Sequence, residues 1–195
     1  MKKFSVAVLM GIVLLLIAAP LTAGEAIIYG GSQKPGKISF PTPSSYIDDL
    51  KGDFGSTFGI RYSAGRVIGF EENIGFSPRF AKPGVRAFQM DSNLVIQSPG
   101  KVAPYVTVGI GFIRTWGSDN DPIDLDDPQL DPEKIAGFAF SFGTNFAFNY
   151  GGGLKIRRIA GPLGINFDVR GYRLPNVRND DLKFIQTTLG AVISW

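Results

Sequence analysis

The sequence predicts an all-β protein, a transmembrane up-and-down antiparallel β-barrel of eight strands, and three observations carry that expectation. The first is Phe138–Gly151, FAFSFGTNFAFNYG, where Phe138, Phe140, Phe142, Phe146, Phe148 and Tyr150 share one parity. Ala139, Ser141, Gly143, Asn145, Ala147 and Asn149 share the other. A strand sends successive side chains to opposite faces, so this stretch has an aromatic face and a small, uncharged one. Lipid suits the first and a crowded barrel interior the second, whereas a soluble strand would turn charge towards water. The second observation is that such alternating runs recur along the chain, joined by connections that are alternately long and short. The third is that the last run finishes on an aromatic residue, Trp195. An even strand number returns both termini to one side, with tight turns there and long loops opposite.

Before the barrel comes a leader. Lys2 and Lys3 precede an apolar run from Val6 to Ala19, followed by Pro20 and small residues up to Ala23. Positive, apolar and small segments in that order define a secretory signal peptide. The run is shorter than the roughly 20 residues a spanning helix needs. Cleavage is expected after Ala23, with Ala26 as the alternative, so residues 1–23 are the leader and 24–195 one barrel domain. The formal charge of +3 falls to +1 once Lys2 and Lys3 leave, which gives no case for a nucleic-acid partner. Without cysteine the fold needs no disulfide, and without histidine a His-based triad or His-ligated metal is excluded.

Strand by strand, Ala26–Ser32 opens the barrel and the polar segment Gln33–Asp53 follows, in which Ser45 and Asp48 offer a cap for one helical turn. Phe54–Ser63 sets Phe58, Ile60 and Tyr62 against Thr57, Gly59 and Arg61. After the turn at Ala64–Gly65, Arg66–Phe76 aligns Ile68, Phe70, Ile74 and Phe76. Ser77–Gly84 is a loop. Val85–Gln97 opposes Phe88, Met90, Leu94 and Ile96 to Gln89, Asp91 and Asn93, and Ser98–Gly100 turns the chain. Val102–Trp116, the acidic loop Gly117–Ala136 and the aromatic strand Phe138–Gly151 come next. A turn at Arg157–Pro162, the strand Gly164–Leu174, the loop Leu174–Asp181 and the strand Leu182–Trp195 complete the count.

An eight-stranded barrel has an interior just wide enough for side chains to fill. Parity places Arg61, Glu71, Asp91, Asp168 and Arg170 there, with Gln89, Asn93, Asn145, Asn149, Asn166 and Gln186. Both signs are present, which suits a paired network plugging the lumen; the competing expectation is a narrow polar path for ions or water. Glu72 resists the scheme, because strict alternation turns it to lipid. A bulge at Glu71–Glu72 or a position near an interface would each resolve it.

The last strand, with Ile185, Thr187, Leu189, Ala191, Ile193 and Trp195 on one face, resembles the carboxy-terminal signal that outer-membrane proteins present to the barrel assembly machinery. Asn149–Arg173, with Gly151–Gly153 before Leu154–Lys155 and with Asp168–Val169–Arg170, together with Pro104–Tyr105, resembles the small outer-membrane beta-barrel domain family of the OmpA and OmpX type. The likeness covers most of Gly24–Trp195. It implies an eight-stranded barrel in the outer membrane of a Gram-negative-type bacterium, a monomer with outer-membrane lipids and the assembly machinery as partners; with Trp195 as its last residue, the periplasmic domain of larger members is not expected. Leu189, Ile193 and Trp195 would then be the assembly signal. Outer-membrane deacylases, palmitoyltransferases and proteases resemble this chain in architecture, yet each relies on a histidine that is absent here.

The remaining motifs have plain readings. Asp119, Asp121, Asp124, Asp126, Asp127, Asp131 and Glu133 lack the spacing and central glycine of a calcium loop and are expected to be a solvated surface, so no metal and no cofactor is expected. Lys155, Arg157 and Arg158 are expected to flank a periplasmic turn, touching lipid phosphate or simply keeping the turn wet. Gly151–Gly153 lacks the context of a phosphate loop and is expected to relieve crowding inside the barrel. The function expected is non-enzymatic, structural or surface-interacting through the loops. A narrow porin-like pore is the alternative, and a lipocalin-like carrier, apolar inside and polar outside, a more distant one.

Overall fold

The computed structural model describes residues 24–41, 46–117 and 132–195; the expected leader, Ser45 and the acidic residues Asp119–Asp131 lie outside them. Its strands are β1 (Gly24–Pro35), β2 (Lys37–Pro41), β3 (Tyr46–Lys51), β4 (Gly55–Ala64), β5 (Ile68–Arg79), β6 (Val85–Gln97), β7 (Val102–Gly117), β8 (Gly143–Ala160), β9 (Leu163–Val177) and β10 (Asp180–Ser194). A single helix among the described residues, α1 (Pro132–Phe140), precedes β8. β1 and β4 to β10 close into one eight-stranded barrel, and β2 and β3 form a separate hairpin in the first long connection. Every barrel pairing is antiparallel. Closure runs through β1, which pairs with β10 from Glu25↔Ser194 to Pro35↔Phe184 and with β4 from Gly24↔Ala64 to Gln33↔Gly55. The barrel strands therefore have no open edge.

Alternation along the strands gives the barrel an apolar outside. Phe58, Ile60, Phe70, Ile74, Val106, Val108, Phe148, Ile165, Phe167 and Leu189 are exposed, while Arg61, Glu71, Asn73, Asp91, Asn166, Asp168 and Arg170 are buried. That inversion suits a hydrocarbon solvent and no other. It excludes the carrier arrangement.

Four expectations are corrected. The aromatic stretch does not begin as a strand: Pro132–Phe140 is helical, and β8 starts only at Gly143, whose φ of 76° marks the break. The helix buries Ile135, Ala136, Ala139 and Phe140, a stripe with helical rather than strand period that docks on the barrel's loop end. Only Gly143–Tyr150 keeps the alternation, with Phe146, Phe148 and Tyr150 outward and Ala147 and Asn149 inward. Second, β8 runs on to Ala160, so Lys155 and Arg157 belong to a strand rather than to a wet turn. Third, the loop expected over Leu174–Asp181 shrinks to Arg178–Asn179, where φ of 54° and 69° suits the two-residue hairpin turn that matches strand twist. Fourth, Tyr46–Lys51 pairs with β2 instead of forming a helical turn.

Glu72 stays on the outside. Register is unbroken from Phe58↔Phe76 to Ala64↔Phe70 and from Ile68↔Ile96 to Ser77↔Ala87, so there is no bulge at this position. Glu72 lies between Tyr62 and Ser92, and Ser92 Oγ donates to its carboxylate at 2.9 Å. Tyr62 packs on Trp195, ring centroids 6.1 Å apart, so the acid neighbours the aromatic pair at the barrel's turn end.

Candidate functional site

The barrel interior is the candidate site, and it is filled in three tiers. At the turn end Glu25 of β1 receives Lys155 Nζ of β8 at 2.7 Å and the Arg157 guanidinium beside it. Lys155 also reaches Gln97 Oε1 at 3.1 Å, and Arg157 donates to the carbonyls of Ser98 and Gly100 at 3.0 Å each. This cluster ties β1, β6 and β8 together across the mouth.

The middle tier joins the β4, β5 and β9 charges. Arg61 lies 3.1 Å from Asp168, and Arg170 bridges Asp168 and Glu71 at 2.8 Å each. Tyr105 Oη donates to Asp168 and accepts from Asn166 at 2.9 Å, while the Arg61 guanidinium sits 4.2 Å from the centre of the Tyr29 ring. Tyr29 donates to Asn73 at 2.8 Å and Asn73 to Asp91 at 2.7 Å; Gln89, Tyr172 and Gln186 continue the chain to Thr57. Backbones must come close beneath such large groups. A Cβ at Gly59 or Gly75 would come within 2.6 or 2.7 Å of Tyr29 Oη, and one at Gly153 within 2.8 Å of Tyr105 Oη.

The loop-end tier is apolar. Phe80, Val85, Ile113, Phe140, Leu174, Leu182 and Phe184 pack there with Ile38 of the small hairpin and Ile135 and Ala139 of α1. Tyr172 joins the tiers: its ring stacks on Phe184 at 4.6 Å while its hydroxyl donates to Asp91 at 3.2 Å. The lumen is therefore ionic below and oily above.

Charge is matched within this interior. Arg61 and Arg170 face Glu71, Asp91 and Asp168 in the middle, and Lys155 and Arg157 face Glu25 at the mouth. The structure brings Arg61, Glu71, Asp168 and Arg170 into direct contact and leaves Asp91 one hydrogen-bonded layer away, among Asn73, Gln89 and Tyr172. Leu189, Ile193 and Trp195 lie on the outer face. The expected strands Ala26–Ser32 and Phe138–Gly151 stop short of Glu25, Lys155 and Arg157, which therefore stand outside the expected interior set. The signal was present: Lys155 has the parity of Asn149, and Glu25 that of Ile27 and Tyr29. Among the described residues no cluster of carboxylates could hold a metal ion.

A closed antiparallel barrel, apolar outside and ion-paired inside, defines a membrane-spanning β-barrel protein. The family model of the outer membrane protein beta-barrel domain matches residues 9–193, and the chain belongs to that family. Its place is accordingly the outer membrane of Gram-negative bacteria. Among solved structures it resembles Neisserial surface protein A, with TM-score 0.59, 9% identity, 89% of this chain covered and 99% of the other. The N-terminal barrel domain of Pseudomonas aeruginosa OprF follows at TM-score 0.52 and 12% identity, covering 88% and 97%. Pseudomonas aeruginosa OprG gives TM-score 0.51 and 10% identity over 88% and 96%. These likenesses establish the fold alone. No curated protein sequence matches the chain.

Proposed function

We propose that this is a non-enzymatic barrel whose packed lumen serves as a rigid anchor, with its envelope-structural or surface-interacting role carried by the loop end. The observation that supports this is the filling of the interior at every tier, ion pairs below and an apolar cap with α1 above. The chain also lacks the histidine that hydrolytic or acyl-transfer chemistry on such a scaffold would use as a base. One similar structure is described as a surface protein, in keeping with a role outside the cell. The barrel acts as a monomer in outer-membrane lipid, cleaved from its leader and inserted by the barrel assembly machinery through Leu189, Ile193 and Trp195. Reconstitution into planar bilayers tests the anchor reading: a silent membrane is expected, and regular conductance steps from the wild-type barrel would refute it.

A pore is the second reading, favoured by one observation. Polar side chains run from Glu25 through Lys155 and Tyr105 to Gln186, below the apolar cap. If α1 is a gate, Phe140→Ala raises conductance where the wild type is silent.

A further inference from the structure

Among the described residues the outer surface carries a cluster of three cations that one acid, Asp181, only partly neutralises. Lys183 of β10 is registered directly opposite Arg173 of β9. Lys34 of β1, registered with Ile185, stands beside them, and all three side chains are exposed on the outward face. Like charges directly opposite across a sheet are destabilising. Asp181 pairs with Arg173 at 2.5 Å, whereas Lys34 and Lys183 have no ion pair among the described residues. Lys34 lies 4.9 Å over the Phe54 ring. The three cations line an outer groove of about 580 Å³ shared with Tyr150 and Ile185. Arg173 is registered with Phe148, an exposed member of the apolar band, so the cluster caps that band at its loop end. Lipid headgroups meet a spanning barrel at that level.

We infer that this groove binds the phosphate of a phosphorylated lipid in the leaflet at the loop end, with Lys34 and Lys183 as phosphate donors and Tyr150 and Ile185 against the acyl chains. The anion adds to Asp181 in offsetting the Lys183–Arg173 repulsion. A free phosphate would satisfy the cations but not the apolar half of the groove. The inference rests on membrane insertion of the barrel and not on whether its lumen conducts.

The test uses the barrel refolded in a neutral alkyl-glucoside detergent, with folding verified by its heat-dependent gel mobility. Diphosphoryl lipid A, phosphatidylcholine and inorganic phosphate are titrated in turn, and bound lipid is read by native mass spectrometry. Lipid A is expected to bind and to raise the melting temperature, and Lys34→Gln with Lys183→Gln to weaken its binding about tenfold. The signature is conditional: Lys183→Gln alone leaves the melting temperature unchanged without lipid A and lowers it, relative to wild type, in its presence. Lys101→Gln, at the opposite end, leaves binding unchanged. Equal binding by the double variant, an equal effect of phosphatidylcholine, or equal weakening by Lys101→Gln would overturn the site. Full stabilisation by inorganic phosphate would reduce it to an adventitious ion only.

Discussion

The lower and upper halves of the lumen solve the same packing problem with opposite chemistry. Below, Arg61, Arg170, Glu71 and Asp168 are wholly buried and hold one another. Above, Phe80, Phe140, Leu174, Leu182 and Phe184 are buried too, and their packing is apolar, with Ile38, Ile135, Ala139 and the Tyr172 ring. The difference follows from what surrounds each half. In the membrane-spanning section the outside is lipid, so a polar interior is the only place left for charge, and complementary pairs keep it there. At the loop end the partner is α1 and the small hairpin, which bring apolar residues of their own. An ionic tier is unforgiving, since losing one partner strands the others; an apolar tier loses area in proportion.

Arg170→Ala should break that contrast most sharply. It leaves Glu71 with only Asn93, at 3.4 Å, and Asp168 with one cation instead of two. A loss of about 3–5 kcal/mol is expected, read as a lower melting temperature in detergent micelles. Pairing it with Glu71→Gln should recover part of the loss, and strict additivity of the two would break the network reading. Arg61→Ala should act in the same direction. Phe140→Ala should cost roughly 3 kcal/mol of cap docking, seen as faster hydrogen exchange over α1 while strand amides stay protected. Uniform loss across the barrel would mean that the two halves are one cooperative unit. Lys155→Met should cost less, about 1–2 kcal/mol, because Arg157 remains on Glu25 at a wetter mouth.

Two outward residues give the smallest effects on folded stability. Glu72→Leu removes an acid from the lipid face and should stabilise by roughly 1 kcal/mol in the same melting assay. Deleting Trp195, which is half-exposed and covers Gly24, should leave melting nearly unchanged yet reduce the protein recovered from outer membranes. Normal membrane recovery of the truncated chain would remove Trp195 from the assembly signal.

The strands and their facing were legible wherever a run was long and strictly alternating. Val85–Gln97 and Val102–Trp116 hold their register without interruption, from Val85↔Gly117 to Gln97↔Tyr105. Legibility failed where two periods coincide. Phe138, Phe140 and Phe142 satisfy a spacing of two, but Ile135, Ala136, Ala139 and Phe140 satisfy a helical stripe, and the apolar cap selected the helix. It failed also at strand ends, since nothing in KIRRIA states that its lysine will find a buried acid 130 positions earlier.

The sequence by itself determined which residues face lipid and which face inward, because the two-residue period of a strand converts position directly into side. It therefore determined that this chain spans a membrane, and that Arg61, Glu71, Asp91, Asp168 and Arg170 lie inside. Only the tertiary structure decided who pairs with whom: closing β1 against β10 sets Glu25 before Lys155, and stacking the strands at one register sets Arg170 between Glu71 and Asp168. Lys155–Glu25 and Arg170–Glu71 join residues on different strands, and the geometry of closure rather than local pattern fixes them; only Asp168–Arg170 lies within one strand.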